Sequence, residues 1–234
     1  QRIAKVSSII VPVMALGYIL LALTIVLLNI SHLPEVVGII ITDAFGWEQA
    51  LGGGIGTALM QGLKRGLFSN EAGMGSAPNV AATADVSHPV KQGLIQTLGV
   101  FTDTLIICTC TAFIILFSGL YTNGETNGIQ LTQMALDNEI GSAGTVFVAI
   151  AILFFAFSSI ISNYFYGETN LRYITGNKKI IFLFRILCGS MVMLGALASL
   201  KLAWGMADIC MGMITIFNLI AITLLGKYAF RLLE

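Results

Sequence analysis

Long apolar runs, each about the length needed to cross a bilayer, dominate this sequence of 234 residues. The first run continues from Val6 to Asn29, and no charged residue lies between Lys5 and Glu35. A bilayer core about 30 Å thick is crossed by about 20 residues of helix. Hydrophobic residues make up 56% of the sequence and charged residues only 10%, whereas soluble domains carry about 25% charged residues. The polar surface is too small to solvate such a chain in water, so it belongs in a lipid bilayer.

Charge and composition exclude several other classes. Twelve basic and twelve acidic residues cancel, so the basic surface of a nucleic-acid-binding protein is absent, and the apolar content excludes intrinsic disorder. Because no nucleophile–base arrangement is recognisable, we do not expect an enzyme, and we expect no cofactor. The four cysteines lie in apolar runs, where packing is a better interpretation than a zinc site. They are Cys108, Cys110, Cys188 and Cys210.

The apolar runs predict an all-α, polytopic membrane protein with six transmembrane segments in one transmembrane domain covering 1–234. The second segment is expected to be discontinuous. The predicted segments are residues 6–29, 50–84 (broken near 66–78), 93–120, 145–166, 180–200 and 203–226. A short amphipathic helix is also predicted in the loop after the third segment, following Asn127 and Gly128. The start at Gln1, directly before a span, suggests a piece of a longer protein.

Basic residues between the predicted segments fall almost entirely on one side. Lys201 is the exception, when Lys64 and Arg65 beside the broken segment are set aside. The basic residues that share one side are Arg2, Lys5, Lys91, Arg172, Lys178, Lys179, Arg185, Lys227 and Arg231. By the positive-inside rule this side is cytoplasmic. We therefore predict a multi-pass plasma-membrane protein in which both ends of this sequence are cytoplasmic.

Residues 66–78 interrupt the second apolar segment with three glycines, two serines, an asparagine, a glutamate and a proline. Each Gly costs about 1 kcal/mol relative to Ala inside a helix, and Pro costs about 3. Unwound backbone at membrane depth is tolerated only where protein or a water-filled cavity satisfies it. Transporters use such breaks to bind ions and anionic substrate groups. An ordinary cytoplasmic loop over 66–90 is the alternative, because Gly, Ser, Asn and Pro clusters commonly mark loops.

Three motifs resemble the signatures of one family. They are Arg65-Gly-Leu-Phe-Ser-Asn-Glu-Ala-Gly-Met-Gly-Ser-Ala-Pro78, Gln96-Thr-Leu-Gly-Val-Phe-Thr-Asp-Thr104 and Phe157-Ser-Ser-Ile-Ile-Ser-Asn-Tyr-Phe-Tyr-Gly-Glu168. The chain is similar over its whole length to the alanine/glycine:cation symporter family, the sodium:alanine symporters. The resemblance implies a LeuT-type fold of two inverted five-helix repeats. It places the last helix of the first repeat and all five helices of the second in this sequence.

The resemblance also implies the activity and a set of substrate-binding residues. The expected activity is symport of a small neutral amino acid, alanine or glycine, coupled to Na⁺. Phe68, Ser69 and Asn70 at the break, together with Ser159 and Asn163, are expected to contact the amino acid. A helix-capping role is the alternative for Ser69 and Asn70. Asn163 occupies a position where other family members can carry a bulky aromatic residue, so it bears on which amino acid is preferred.

The expected Na⁺ ligands are the side-chain oxygens of Asp103, Thr104, Ser158 and Ser159. An acid inside a span costs about 2.5–3.5 kcal/mol on insertion scales, so Asp103 should face a partner. That partner is Na⁺ or, alternatively, a neighbouring Lys or Arg or another helix. The two serines suit a hard cation, but serines in membrane helices also commonly bond to the preceding turn.

Two further interpretations stay open at this stage. Glu71, Lys64 and Arg65 can form an ion-paired group around the break, with Asp208 as a further acid. The chain can also belong to a channel, or to a transporter of another solute class that uses the same broken helix.

Overall fold

The computed structural model describes residues 2–45, 54–123, 126 and 128–233. Within these ranges every regular element is helical, which confirms the predicted all-α class. The helices are α1 (Arg2–Leu28), α2 (Leu33–Phe45), α3 (Gly54–Asn70), α4 (Ala77–Ala81), α5 (Pro89–Phe101), α6 (Cys108–Ser118), α7 (Ile129–Ile140), α8 (Ser142–Ile174), α9 (Lys178–Leu197) and α10 (Leu200–Leu233).

Five stretches of the described chain are long and apolar enough to cross a membrane. They are Val11–Leu28, Pro89–Ser118, Ser142–Ile174, Lys178–Leu197 and Leu200–Leu232. Most of their large apolar side chains are exposed rather than packed against protein. Continuous exposed apolar surface of this extent is what lipid tails cover. These five stretches correspond to the first, third, fourth, fifth and sixth predicted segments, so the chain is a multi-pass membrane protein.

The second predicted segment is interrupted. Residues 46–53 lie outside the described chain. From Gly54 the segment consists of the 17-residue α3, a non-helical stretch over 71–76 and the 5-residue α4. Helix α3 therefore continues to Asn70, whereas the predicted break begins at residue 66. This segment is not among the five long apolar stretches, and the sixth crossing stays a prediction.

Helices α8 and α10 are longer than the predicted segments 145–166 and 203–226. They contain 33 and 34 residues, or about 50 Å at 1.5 Å per residue. Their polar ends add turns beyond the apolar stretch, since residues such as Arg172 and Arg231 continue the helix. Hydropathy locates the bilayer core and does not locate the helix ends.

A π-helical stretch, Thr102–Ile107, joins α5 to α6. The backbone N–H of Cys108 donates to the carbonyl of Asp103, five residues earlier. The sequence predicted an unbroken span here. Because π-helical turns are rare and frequently lie at functional sites, this stretch draws attention to Asp103.

The chain forms two compact units. The first contains Gln1–Gly62 and Phe101–Ser159. Its core joins α1, α6, α7 and α8, and the fully buried side chains of Ile25, Ile114 and Leu136 lie at its centre. Tyr18 and Thr111 add a hydroxyl–hydroxyl hydrogen bond of 2.8 Å between α1 and α6.

Helix α7 confirms the predicted loop helix, whereas α2 was not predicted. Gly128 precedes α7 with φ +61° and Gly141 ends it with φ +73°, conformations that favour glycine. Ala135 and Leu136 of α7 are fully buried, so the helix is part of the first unit's core. Helix α2 lies in a stretch that the charge pattern assigned only to an outer loop.

The second unit contains Leu63–Val100 and Ile160–Glu234. It includes the end of α3, the non-helical stretch, α4, α5, the end of α8, α9 and α10. Gly167 of α8 lies against the ring of Phe184 of α9, where an added Cβ would approach Cζ to 2.5 Å. The absence of a side chain at Gly167 lets these two helices approach closely.

Candidate functional site

The non-helical stretch Glu71–Ser76, here called the interruption, is built by three left-handed residues. Glu71, Gly73 and Gly75 have φ values of +54°, +73° and +91°. A left-handed conformation costs a residue with a Cβ about 1–2 kcal/mol, and Glu71 is the only non-glycine residue with positive φ among the described residues. Three such residues in five positions prevent an α-helix from continuing.

The Glu71 carboxylate is held by two hydroxyl groups. Its Oε2 accepts a hydrogen bond of 2.7 Å from Ser76 Oγ and one of 3.3 Å from the hydroxyl of Tyr166 on α8. The first bond closes the interruption on itself, and the second attaches it to α8. The ion pairs that the structure shows for Lys64 and Arg65 are with Asp208, while Glu71 is bonded to these hydroxyl groups.

Asparagine side chains satisfy the backbone carbonyls of the interruption. Asn218 of α10 donates to Gly73 O at 2.8 Å. Asn79 of α4 donates to Gly75 O at 3.2 Å and to Ser76 O at 3.0 Å. Asn170 of α8 in turn donates to Asn79 Oδ1 at 2.9 Å. These amides replace the lost helical hydrogen bonds, as unwound backbone away from water requires.

A cavity of about 750 Å³ lies beside the interruption within the second unit. Volumes of 300–1,000 Å³ are typical of small-molecule sites. Most of its lining is apolar and small, including Ala77, Ala81 and Ala84. Three parts of the second unit supply the polar groups of the lining. The end of α3 and the interruption supply Asn70 and Glu71, α5 supplies Gln92, Gln96 and Thr97, and α10 supplies Asn218. The cavity can therefore hold a small polar solute against exposed main chain.

Phe68, in the last turn of α3, belongs to an aromatic and ionic group with α10. Its ring meets the Trp204 ring edge to face, with centroids 5.0 Å apart. The Arg65 guanidinium lies 4.0 Å above the centre of the same Trp204 ring and donates to Asp208 Oδ2 at 3.0 Å. Lys64 Nζ lies 3.9 Å from the same oxygen. The acid that pairs with these cations is therefore Asp208.

The other predicted substrate residues of the second unit lie on α3 and α8. Asn70 is the last residue of α3, and its Oδ1 accepts from the N–H of Ala72 at 2.9 Å. This bond stabilises the turn out of the helix, so Asn70 closes the end of α3 instead of capping a helix start. Ser69 and Asn163 are exposed, on α3 and α8 respectively.

The predicted Na⁺ ligands lie in the first unit. Asp103 and Thr104 are half-buried within the π-helical stretch. Ser158 and Ser159 lie on α8, and Ser158 Oγ donates to the carbonyl of Phe155 at 2.9 Å. That bond uses the hydroxyl hydrogen and leaves oxygen lone pairs, so it is chemically compatible with binding a cation.

Sequence reasoning missed the residues that hold the interruption in place. They are Tyr166, Asn170 and Asn218, and each lies 91 or more positions along the chain from the residue of the interruption or of α4 that it contacts. An amide within an apolar helix, as at Asn218, is a signal that could have found them, because polar groups in membrane helices need partners.

An all-helical fold with five long apolar stretches and a polar interruption defines a polytopic α-helical membrane protein. The chain belongs to the sodium:alanine symporter family, whose model matches residues 1–234. This is a family of transporters and not of enzymes.

Named relatives are similar to the chain along its whole length. The "Probable sodium/glutamine symporter GlnT" of Bacillus subtilis (strain 168) is 53% identical over 234 residues, covering 100% of this chain and 49% of the relative. The amino-acid carrier protein AlsT of the same strain is 52% identical over 231 residues, covering 99% and 49%. The sodium/proton-dependent alanine carrier protein of Bacillus sp. (strain PS3) is 40% identical over 251 residues, covering 100% and 56%. The chain spans about half the length of these relatives.

Proposed function

We propose that this chain is part of a symporter that couples Na⁺ movement to uptake of a small neutral amino acid, alanine or glycine. The observation that carries the proposal is the match to the sodium:alanine symporter family over residues 1–234. The names of the relatives, an alanine carrier and a glutamine symporter among them, support a neutral amino acid as the substrate class.

The architecture we propose has six crossings in a LeuT-type arrangement within a single transmembrane domain. Residues 1–234 supply the last helix of the first repeat and the five helices of the second. The interrupted second segment and the coverage of about half of each relative support this assignment. Both ends of this sequence are proposed to lie on the cytoplasmic side of the plasma membrane, and the distribution of the basic residues supports this orientation.

The substrate-binding residues we propose are Phe68, Ser69, Asn70, Ser159 and Asn163. An amino-acid zwitterion brings two opposite charges into a low-dielectric region, where each needs a polar partner. Main-chain dipoles at a helix break and hydroxyl and amide side chains provide such partners, while an aromatic ring such as Phe68 limits the space for the side chain of the substrate.

The sodium ligands we propose are the side-chain oxygens of Asp103, Thr104, Ser158 and Ser159. Oxygen ligands suit a hard cation, and the negative charge of Asp103 offsets the cost of removing Na⁺ from water. Na⁺ and the amino acid favour each other's binding when both stabilise one conformational state, and this reciprocity makes symport possible.

Counterflow of labelled alanine into vesicles that contain the full-length protein tests the proposal. We expect saturable exchange that falls when K⁺ replaces Na⁺, with glycine competing strongly. A parallel competition assay with glutamine measures how broad the substrate specificity is. Flux that does not saturate would indicate the channel alternative, and exchange indifferent to the cation would exclude sodium coupling.

The same vesicles test the sodium ligands. Asp103→Asn should raise the Na⁺ concentration for half-maximal transport about tenfold, which corresponds to about 1.4 kcal/mol, and should leave the competition profile unchanged. Asp137→Asn is the matched control, because Asp137 is an exposed acid of the first unit. Equal effects of the two substitutions would contradict a ligand role for Asp103.

A further inference from the structure

Basic side chains gather where α8 ends and α9 begins. The buried Glu168 carboxylate is shared by two arginines, one on each helix. Its Oε1 accepts from Arg172 Nε at 2.8 Å and from Arg185 Nη2 at 2.9 Å. Both arginine side chains stay about half exposed, at 56% and 51%. The carboxylate thus holds two partly exposed guanidinium groups side by side on the surface of the second unit.

Positive charge exceeds negative charge at this place. Glu168 offsets one of its two arginines, and Lys178 and Lys179 add two exposed cations in the first turn of α9. A guanidinium has five N–H donors, of which Glu168 takes two from Arg172 and one from Arg185. The remaining donors and the lysine ammonium groups can serve an anion.

A cavity of about 430 Å³ lies among these cations. Its lining combines charge with apolar surface, and consists of Arg172, Gly176, Lys178, Ile181, Phe182 and Arg185. Ile181 is buried, whereas the Phe182 side chain is 64% exposed on the outside of α9. An occupant would therefore meet both cationic groups and an exposed aromatic ring. Lys179 does not line the cavity.

Residues beside the cavity are of a kind that is common at the edge of a bilayer. Tyr173 and Ile174 are 94% and 80% exposed, directly after the apolar part of α8. Exposed tyrosines mark the level of the lipid headgroups. Arg172 lies in the last turn of α8 and Lys178 in the first turn of α9, and Phe182 follows Lys178 by one turn of α9.

We propose that this cavity binds an anionic phospholipid. The phosphate interacts with Arg172, Lys178 and Arg185, and an acyl chain lies along Phe182. Basic pockets between membrane helices bind acidic headgroups in this way, and phosphate favours the planar donors of arginine. A free phosphate would satisfy the cations but would leave the apolar part of the cavity unused. The site is separate from the residues proposed above for amino acid and Na⁺.

Lipid-dependent thermal stability of the purified full-length protein tests this site. Phosphatidylglycerol added to the detergent-solubilised protein should raise the melting temperature more than phosphatidylcholine does. Lys178→Gln should reduce that difference by at least half. Lys179→Gln should preserve it, although it removes the same charge from the same helical turn. Both lysines are exposed and outside the Glu168 ion pairs, so neither substitution disturbs the packing.

Three results would overturn the proposal. Equal losses in Lys178→Gln and Lys179→Gln would mean that phosphatidylglycerol acts through general surface charge. An equal stabilisation by soluble glycerol phosphate would mean that the cavity takes a free phosphate and no lipid. No difference between phosphatidylglycerol and phosphatidylcholine in the unaltered protein would exclude an acidic lipid site altogether.

Discussion

Gly73 and Gly75 both adopt left-handed conformations in the interruption, but only at Gly75 would an added Cβ also clash with a neighbouring side chain. An added Cβ at Gly75 would lie 2.8 Å from Asn218 Cβ and 2.9 Å from its Cγ. At Gly73 no atom of the described residues beyond its chain neighbours lies within 4 Å of the equivalent position. The two glycines therefore separate the cost of backbone conformation from the cost of crowding.

Gly75→Ala should destabilise the protein more than Gly73→Ala. Both substitutions place a Cβ on a left-handed residue, at about 1–2 kcal/mol. Gly75→Ala also displaces Asn218, which holds the carbonyl of Gly73, and such overpacking adds about 1–3 kcal/mol. The melting temperatures of the two variants in detergent measure the difference. Equal losses would mean that Asn218 moves aside freely and does not hold the interruption in place.

Individual residues show where sequence reasoning reaches its limit. Clustered glycines and Pro78 located the interruption within a few residues, because their backbone preferences are local. The left-handed conformation of Glu71 could not be predicted, since a residue with a Cβ adopts it only when distant groups hold it there. Tyr166 supplies one of those groups, and its position beside Glu71 is a consequence of the fold.

At the scale of elements, the last turns of α3 contact α10 through the Trp204 ring and through an ion pair with Asp208. Asp208 Oδ2 lies 3.0 Å from Arg65 Nη2 and 3.9 Å from Lys64 Nζ. Trp204 lies one turn before Asp208 and packs against both Arg65 and Phe68. Arg65 Nη1 is buried without a hydrogen-bond partner among the described residues, so Asp208 is the main compensation for this guanidinium.

A double-mutant cycle should find that Asp208 is coupled to Arg65 and barely coupled to Lys64. We expect about 0.5–1 kcal/mol for Arg65→Gln with Asp208→Asn, since both side chains are partly exposed and water screens the pair. For Lys64→Gln with Asp208→Asn we expect a value near zero. Because the stacking on Trp204 is lost in both Arg65 variants of the cycle, the coupling energy reports the ion pair alone. Unfolding in denaturant measures it, and a larger coupling for Lys64 would contradict the structure.

Elements could be predicted as far as hydropathy and glycine positions define them. Five long apolar stretches and the loop helix α7 follow from the sequence. Helix α2 was missed, because a run that begins with Leu33 and is only 13 residues long lacks the length of a span. The π-helical stretch has no periodic signature in the sequence. Of the candidate site, local sequence located the residues at the break, whereas their partners on α8 and α10 required the structure.

At the scale of the whole molecule, the basic residues predict how the chain is oriented in the membrane. The first turn of α9 carries Lys178 and Lys179, whereas α7 carries acids, Asp137 and Glu139. The positive-inside rule counts Lys and Arg in short loops. The proposed lipid site depends on the same cations, so insertion and lipid binding share one set of residues.

Labelling of single cysteines from one side of the membrane should establish this orientation. In a full-length protein with Cys108, Cys110, Cys188 and Cys210 replaced by serine, Asn138→Cys introduces an exposed thiol on α7. Lys179→Cys introduces one at the start of α9, which is predicted to lie on the cytoplasmic side. A membrane-impermeant maleimide added to intact cells should label the first variant and should label the second only after the cells are permeabilised. The reverse pattern would mean that both ends of this sequence face outward, and the positive charges of α8 and α9 would then need another explanation.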